Sequence, residues 1–379
     1  MGPLAGIRII ELAGIGPGPF CGMMLADMGA EVIKVDRPGG NPFSSNGHEV
    51  LFRSRRNLAV NLKAPEGVEV VLRLCEKADA LFEGFRPGVA EKLGVGPEAC
   101  TARNPKLVYG RMTGWGQHGP LAHAAGHDIN YIALSGALHA MGRKGERPLP
   151  PLNLVGDFGG GGLMLAYGIV CALLEAARSG KGQVIDCSMV EGSAALMAMF
   201  SGLQSKGMFT HERGTNLLDG GAPFYDTYET ADGKYVGIGS LEPQFYALLL
   251  EKAGLDTEFF GGAAQFDFAR WPELRERLTH AFKRKTRDEW CAVMEGTDVC
   301  FGPVLSLAEA PEHLHNKARG SFVEVDGITQ HAPTPRMSRT PPATPRAGRP
   351  VNADTGAVLE SCGFSRQEIE ALKGKGAVD

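Results

Sequence analysis

The sequence predicts an α/β fold, with a Rossmann-like large domain and a smaller α+β domain. The clearest signal lies in residues 7–36, where an apolar run ends at Gly14, a helical stretch follows, and EVIKVD forms a second apolar run. Two strands joined by a helix over about 30 residues make a βαβ unit, whose strands pair in parallel. A second signal is FYDTYETADGKYVGIGS at 224–240, which predicts an antiparallel hairpin with Asp232-Gly233 at its turn.

The remaining elements of the large domain continue this alternation. Residues 68–78 have helical periodicity, and the apolar runs 80–85 and 106–114 predict two further strands of the parallel sheet. Four glycines at 159–162 lead into LMLAYGIVCALLEAARS, which is apolar on nearly every face and therefore predicts a deeply buried helix. GKGQVIDCSMV then predicts a turn and a strand.

The length of 379 residues exceeds one ordinary core and predicts two domains of about 100–200 residues. The large domain is predicted over 1–190 and is completed by the C-terminal segment 330–379. Residues 191–222, rich in Met, Gly and Ser, form a linker, and 223–329 form the small α+β domain. WPELRERLTHAF predicts an amphipathic helix of the small domain, and SRQEIEALKG predicts a closing helix with Ser365 as its N-cap.

Charge and composition argue against several classes of function. The net charge of −4 offers no basic surface to a nucleic acid, so DNA and RNA partners are not expected. The eight cysteines show no C-x-x-C pair and no metal-ligand spacing with histidine, which is typical of thiols in a reducing compartment. We expect no apolar run of about 18 residues and no basic N-terminal signal. These features predict a cytoplasmic protein without a metal or a membrane partner.

The first candidate site is the glycine-rich turn GIGPGP at 14–19, after the first strand. A dinucleotide site requires G-x-G-x-x-G and an acidic residue about 20 positions later, which Asp36 supplies. The third glycine is missing, however, and Pro17 and Pro19 remove N–H groups that would hold a pyrophosphate. The turn therefore favours a tight strand-to-helix connection, with Arg37 available to a phosphate outside it.

The second candidate is His127 in GHDINY at 126–131, where polar residues precede an apolar helix. Free N–H groups in the first turn of a helix stabilise a developing oxyanion, and a histidine beside them acts as a base near neutral pH. In the alternative interpretation, Asp128 caps the helix and His127 packs against neighbouring backbone.

The third candidate is Asp157, which lies between glycines just before the apolar helix. Burial there would raise the pKa of this carboxyl group and let it hold a proton near neutral pH. The alternative is an N-cap. Capping alone does not account for the glycines at 159–162, which allow a ligand or another helix to approach the backbone closely.

Glu242 and several basic residues are the remaining candidates. Glu242 begins a helix after a strand of the small domain, which is an ordinary place for a glutamate. Basic side chains along the first hundred residues either contact the phosphates of a nucleotide carrier or are solvated surface charges. They are Arg53, Arg55, Arg56, Lys63, Arg86 and Lys92.

These motifs resemble those of the α-methylacyl-CoA racemases, a group within the family III CoA-transferase superfamily. The resemblance covers nearly all of residues 3–365 and rests above all on AGHDINY and LNLVGDFGGG. It implies an isomerase of fatty acid metabolism with an acyl-CoA substrate and no cofactor. It also implies an interlocked homodimer, with active sites where the two chains meet.

By this resemblance, His127 and Asp157 match the two acid–base residues of the family. Glu242 matches a small-domain glutamate that reaches the active site of the partner chain. The positions that match residues binding the CoA thioester are Arg37, Ala59, Val60, Asn61, Leu62, Gly126, Asp128, Ile129, Asn130 and Tyr131.

The implied reaction is racemisation of a 2-methylacyl-CoA by 1,1-proton transfer through an enolate. Inversion requires two groups on opposite faces of the α-carbon, one to remove the proton and one to return it. A neutral His127 and a protonated Asp157 suit these roles. N–H groups near Asp128 would bind the thioester oxygen as it becomes an oxyanion.

Two other functions stay open at this point. A family III CoA-transferase would use Asp157 as a nucleophile, but it has no need of a second proton-transfer group at His127. A non-catalytic acyl-CoA carrier would explain neither residue.

The sequence does not specify the acyl chain: a Met-rich surface could accept a branched fatty acyl or a sterol side chain, and the same residues also suit an ordinary core. They are Met189, Met197, Met199 and Met208.

Overall fold

The structure is a computed structural model that describes residues 2–40 and 50–379. Their contacts group into two compact units. The first unit takes residues from Met1–Gly136, Pro151–Ala198 and His315–Asp379, and the second from Ala137–Pro150 and Met199–Leu314. The second unit thus includes Ala137–Pro150, a segment that no sequence pattern assigned to it. The domain boundaries given above stay a prediction.

The first unit contains a parallel sheet, as the sequence predicted. Its strands are β1 Arg8–Leu12, β2 Glu31–Asp36, β3 Arg56–Ala59, β4 Ala80–Glu83, β5 Val108–Thr113 and β6 Val184–Ser188. The order across the sheet is β3-β2-β1-β4-β5-β6, and every neighbouring pair is parallel. The order reverses between β1 and β4. Ligands of open α/β sheets bind at such a point, outside the carboxyl ends of the strands.

The described helices agree with most of the predicted ones. Ser365 accepts a hydrogen bond from the Glu368 N–H and caps the last helix, as predicted. The α-helices are α1 Pro17–Asp27, α2 Pro65–Cys75, α3 Val89–Lys92, α4 Pro97–Arg103, α5 Asp128–Leu134, α6 Ala137–Ala140, α7 Met164–Ser179, α8 Met189–Leu196, α9 Ala198–Ser205, α10 Pro243–Ala253, α11 Thr257–Phe260, α12 Trp271–Phe282, α13 Arg287–Met294, α14 Leu314–Arg319, α15 Thr355–Ser361 and α16 Arg366–Gly374. Short 3₁₀ turns cover Gly262–Phe266 and Ala310–Glu312.

A π-helix, Leu154–Leu163, runs directly into α7. The sequence predicted that this helix is buried all round, and that prediction is wrong for the single chain. Tyr167, Val170 and Leu174 are 68%, 40% and 55% exposed, because only the side that carries Leu165 and Ile169 packs against the sheet.

The same stretch corrects the prediction that no apolar run reaches about 18 residues. Leu154–Ser179 is long and apolar enough to cross a membrane, with a mean hydropathy of 1.6 in an 18-residue window. Core helices of soluble proteins meet the same two criteria, so length and composition do not place the helix in a membrane.

The second unit holds the predicted hairpin and its helices. Its sheet has the order β7 (Tyr225–Glu229), β8 (Tyr235–Gly239), β9 (Phe301–Pro303) with antiparallel pairs, and Gly233 has φ +73° in the hairpin turn. Its core is rich in buried aromatic side chains, including Phe224, Trp271 and Trp290. Two further strands, β10 Phe322–Val325 and β11 Ile328–His331, belong to the first unit and pair antiparallel with each other.

Candidate active site

Asp157 lies inside the first turn of the π-helix and not at its N-cap, which is Asn153. The Asn153 side-chain amide donates to Oδ2 of Asp157 at 3.1 Å. Desolvation by burial raises the pKa of Asp157, and the negative charge of Asp128 adds to the increase. The Asn153 hydrogen bond and the positive charge of His127 act in the opposite direction. The net effect is a raised pKa for Asp157, whose side chain is half-buried near the carboxyl ends of the strands.

The glycines after Asp157 allow other helices to come close. A Cβ on Gly160 would lie 2.6 Å from the backbone nitrogen of Ser193 in α8, and a Cβ on Gly162 would lie 2.5 Å from the carbonyl oxygen of Pro17 in α1. Of the two explanations for this glycine run, close helix packing therefore holds for these positions.

The glycine-rich turn at 14–19 contacts Asp157. Gly16 is the N-cap of α1 with φ +66°, and a Cβ on it would lie 2.9 Å from Oδ2 of Asp157. Position 16 therefore requires glycine for two reasons, the left-handed backbone conformation and the lack of space for a side chain beside Asp157. The dinucleotide interpretation fails here, since Asp36 is buried and its carboxylate bonds to Nζ of Lys34 at 2.8 Å.

His127, and not Asp128, is the N-cap of α5. The His127 N–H donates to Oδ1 of Asn130 at 3.0 Å, and the N–H groups of Asn130 and Tyr131 both donate to the His127 carbonyl oxygen. Two further first-turn N–H groups belong to Asp128 and Ile129. The His127 side chain is exposed, and its positive form acts on the pKa of Asp157, so the two predicted acid–base residues share one site.

The carboxylate of Asp128 points to Asp157. It is 7% exposed, and its Oδ2 accepts a hydrogen bond from the Asp157 N–H at 2.7 Å. This contact ties the first turn of α5 to the π-helix. The sequence assigned Asp128 to a cap or to the substrate, and a bond to Asp157 was not foreseen.

Tyr131 lies close enough to Asp157 for the charge of that carboxylate to act on its pKa. Its ring stands edge-on to Trp115, with 4.8 Å between ring centroids, and a Cβ on Gly126 would lie 2.7 Å from its Cε1. Burial, together with the charges of Asp157 and Asp128, raises the pKa of Tyr131 to about 12, and the charge of Arg86 opposes this increase. Asn153 was not among the sequence-based candidates for this site, Gly16 was considered only as part of a tight turn, and Arg86 was considered only as a phosphate contact or a surface charge. The N-x-x-x-D spacing of 153–157 was the available signal for Asn153.

The predicted CoA-binding residues near the first strands lie along the same edge of the sheet. Arg37 follows β2, is exposed, and donates from Nε to the Gly40 carbonyl at 2.8 Å. Ala59 ends β3, and its side chain and that of Val60 are buried. Asn61 and Leu62 are half-buried, and the Asn61 N–H donates to the Ala377 carbonyl at 2.9 Å.

Two of the arginines considered as phosphate contacts form buried ion pairs, which excludes that role for them. Arg53 donates from Nε to Asp27 at 3.0 Å, and Arg55 donates from Nε to Glu11 at 3.0 Å. The side chains of both arginines are fully buried.

Residues of the second unit were also among the candidates. Glu242 is exposed and is the N-cap of α10. Burial raises the pKa of the Cys300 thiol, and the charge of Glu242 raises it further, so these two side chains are neighbours. Met199 and Met208 are 53% and 67% exposed, whereas Met189 of the first unit is buried. Within the described residues, no three His, Cys, Asp or Glu side chains are grouped as metal ligands.

Known proteins resemble this chain over almost its full length. The profile of CoA-transferase family III matches residues 4–355. The α-methylacyl-CoA racemase of Mus musculus is 52% identical over 97% of this chain and 96% of its own length, and that of Homo sapiens is 48% identical over the same shares. Succinyl-CoA:glutarate CoA-transferase of Mus musculus is 32% identical over 83% of this chain and 76% of its own. The crystal structure of a CAIB/BAIF family protein from Brucella suis has a TM-score of 0.83 and 27% identity, and covers 95% of this chain and 99% of its own.

Proposed function

The chain belongs to CoA-transferase family III, and from this premise we propose that it is an isomerase that racemises 2-methylacyl-CoA thioesters at the α-carbon. The observation that carries the proposal is the pair of His127 and Asp157, which lie in one site with the pKa of Asp157 raised. Relatives that are about half identical over nearly the whole chain are racemases. The proposed substrate class, 2-methylacyl-CoA thioesters, is the one that the names of these relatives give.

The proposed chemistry is a 1,1-proton transfer. One of the two residues takes the α-proton, the electron pair moves into the thioester carbonyl to form an enolate, and the other residue delivers a proton to the opposite face. The roles exchange in the reverse direction. A raised pKa suits Asp157 because it makes the protonated carboxyl group, which a proton donor requires, easier to populate. We assign oxyanion stabilisation to the N–H groups of Asp128 and Ile129.

A test in heavy water separates this function from CoA transfer. The wild-type protein, given one enantiomer of a 2-methylacyl-CoA, is expected to incorporate deuterium at the α-carbon while the substrate approaches an equal mixture of both forms. Proton NMR and chiral chromatography measure the two processes. A CoA-transferase would move CoA to a free carboxylic acid and leave the α-carbon unlabelled. That result would exclude the proposed racemase and favour Asp157 as a nucleophile.

We further propose an interlocked homodimer in the cytoplasm, with the domain boundaries predicted from the sequence. The exposed apolar side chains of α7, Tyr167, Val170 and Leu174, support a partner chain on this face. In this assembly Glu242 of one chain completes the active site of the other. The CoA thioester is assigned to Arg37, to residues 59–62 and to residues 126–131.

Subunit mixing tests the shared site. Co-expressed His127→Ala and Glu242→Ala chains, each inactive alone, are expected to recover the activity of one intact site per heterodimer, about half that of the wild-type dimer, because one of its two sites then contains neither substitution. Differently tagged chains allow the heterodimer to be isolated and assayed. An isolated heterodimer as inactive as its parents would contradict a site built from two chains.

Replacing Gly16 tests the contact of the glycine-rich turn with Asp157. Gly16→Ala is expected to lower kcat by about 10- to 100-fold, because the added methyl group displaces the carboxylate, and to cost about 1–3 kcal/mol of stability through its positive φ. Gly18→Ala is the matched control, since a Cβ there has no heavy atom within 4 Å. Equal activity of the two variants would remove Gly16 from the site.

A further inference from the structure

The geometry points to Asp128 as a positioning residue: we propose that its side chain holds the backbone of Asp157 in place and sets the charge beside it, and does not bind substrate. This inference rests on the proposed racemisation. It concerns the carboxylate alone, since the backbone N–H of Asp128 retains its assigned role toward the thioester oxygen.

The first support is the hydrogen bond between the two residues. Asp157 lies in the first turn of the π-helix, where N–H groups have no partner within the helix. Oδ2 of Asp128 accepts this N–H at 2.7 Å from 29 positions earlier in the chain. A side chain of a different helix thus satisfies the backbone of the acid–base residue. A shift of Asp128 therefore moves Asp157.

The second support is Gly156, which leaves room for this contact. A Cβ on Gly156 would lie 2.5 Å from Oδ2 and 2.8 Å from Cγ of Asp128. Any larger residue at 156 pushes against the carboxylate that holds Asp157. The glycine directly before the catalytic aspartate therefore has a steric explanation.

The third support is electrostatic. Asp128 is buried, and within the described residues its Oδ1 has no hydrogen-bond partner. A carboxylate in this setting favours the protonated form of a neighbouring carboxyl group. Other groups also act near Asp157. His127 and Asn153 favour the charged form of Asp157. The charge of Asp157 raises the pKa of Tyr131, and Arg86 lowers it. Among the charges that act on Asp157, Asp128 is the one that opposes ionisation.

Three variants test the proposal. Asp128→Asn keeps an oxygen that can accept the Asp157 N–H but removes the charge. We expect it to retain more activity than Asp128→Ala and to shift the limb of the kcat/KM pH profile along which Asp157 ionises to lower pH. Asp128→Ala and Gly156→Ala remove or displace the acceptor and are expected to lower kcat by about 10- to 100-fold with little change in KM. Gly168→Ala is the control in the adjoining helix, where a Cβ makes ordinary contacts at 3.5 Å.

A large increase in KM with unchanged kcat in Asp128→Ala would overturn the proposal, because it indicates a substrate-binding side chain. An Asp157 limb that does not move in Asp128→Asn would also overturn it. A readout independent of turnover is the effect of pH on urea unfolding. As pH rises from the ordinary pKa of 3.8 through the raised pKa of Asp157, the wild type should lose stability relative to Asp157→Asn, and this difference should shrink when both chains also carry Asp128→Asn. This stability measurement does not depend on catalysis. It therefore tests the role of Asp128 separately from the proposed racemisation.

Discussion

His127→Ala and Asp157→Asn are each expected to slow racemisation by about 10²- to 10⁴-fold, which is the usual contribution of one positioned acid or base. The loss arises because inversion needs a proton donor and an acceptor on opposite faces. Either variant can still exchange the α-proton from the face of the residue that remains. Deuterium incorporation without inversion, measured for each enantiomer separately, would identify which residue serves which face.

The control for these variants is their stability. Burial raises the pKa of Asp157, so the folded protein holds this proton more tightly than the unfolded chain. The contribution of Asp157 to stability is then fully present below its ordinary pKa of 3.8 and is lost as pH rises through the raised value. Asp157→Asn should therefore be at least as stable as the wild type at neutral pH. Lost activity accompanied by unfolding would invalidate the catalytic interpretation of that variant.

Arg55→Met is expected to destabilise the protein by about 3–5 kcal/mol, because it leaves Glu11 as a fully buried charge without its partner. The effect should reach the site, since Arg55 also donates to the carbonyl oxygen of Pro19 in the glycine-rich turn. Urea unfolding measures the loss in stability.

The adjacent residue provides a matched control. Arg56 also pairs with a glutamate, Glu31, but the two side chains are 25% and 31% exposed, and Glu31 keeps Arg8 as a second partner at 2.7 Å. Arg56→Met is therefore expected to cost less than about 1 kcal/mol. Similar losses in the two variants would show that burial does not distinguish the pairs.

Local patterns were sufficient for the secondary structure that lies away from the site. The signals for these elements are apolar runs of four to seven residues, a Gly in the hairpin turn and a Ser before the last helix, each of which depends only on nearby residues. The predicted elements β2, β7–β8 and α16 formed at these positions. The π-helix was not predictable in this way. Its glycines have low helix propensity, and contacts with α1 and α8 stabilise the segment instead.

The sequence by itself determined the parallel βαβ core and singled out His127 and Asp157 as candidates, and the resemblance to a family assigned them their acid–base roles. Only the tertiary structure decided which charges are neutralised and what surrounds Asp157. Arg55 and Glu11 are 44 positions apart, and Asp128 and Asp157 are 29 apart. Burial and hydrogen bonding at such separations depend on how strands and helices pack, and a single sequence contains no local signal for them.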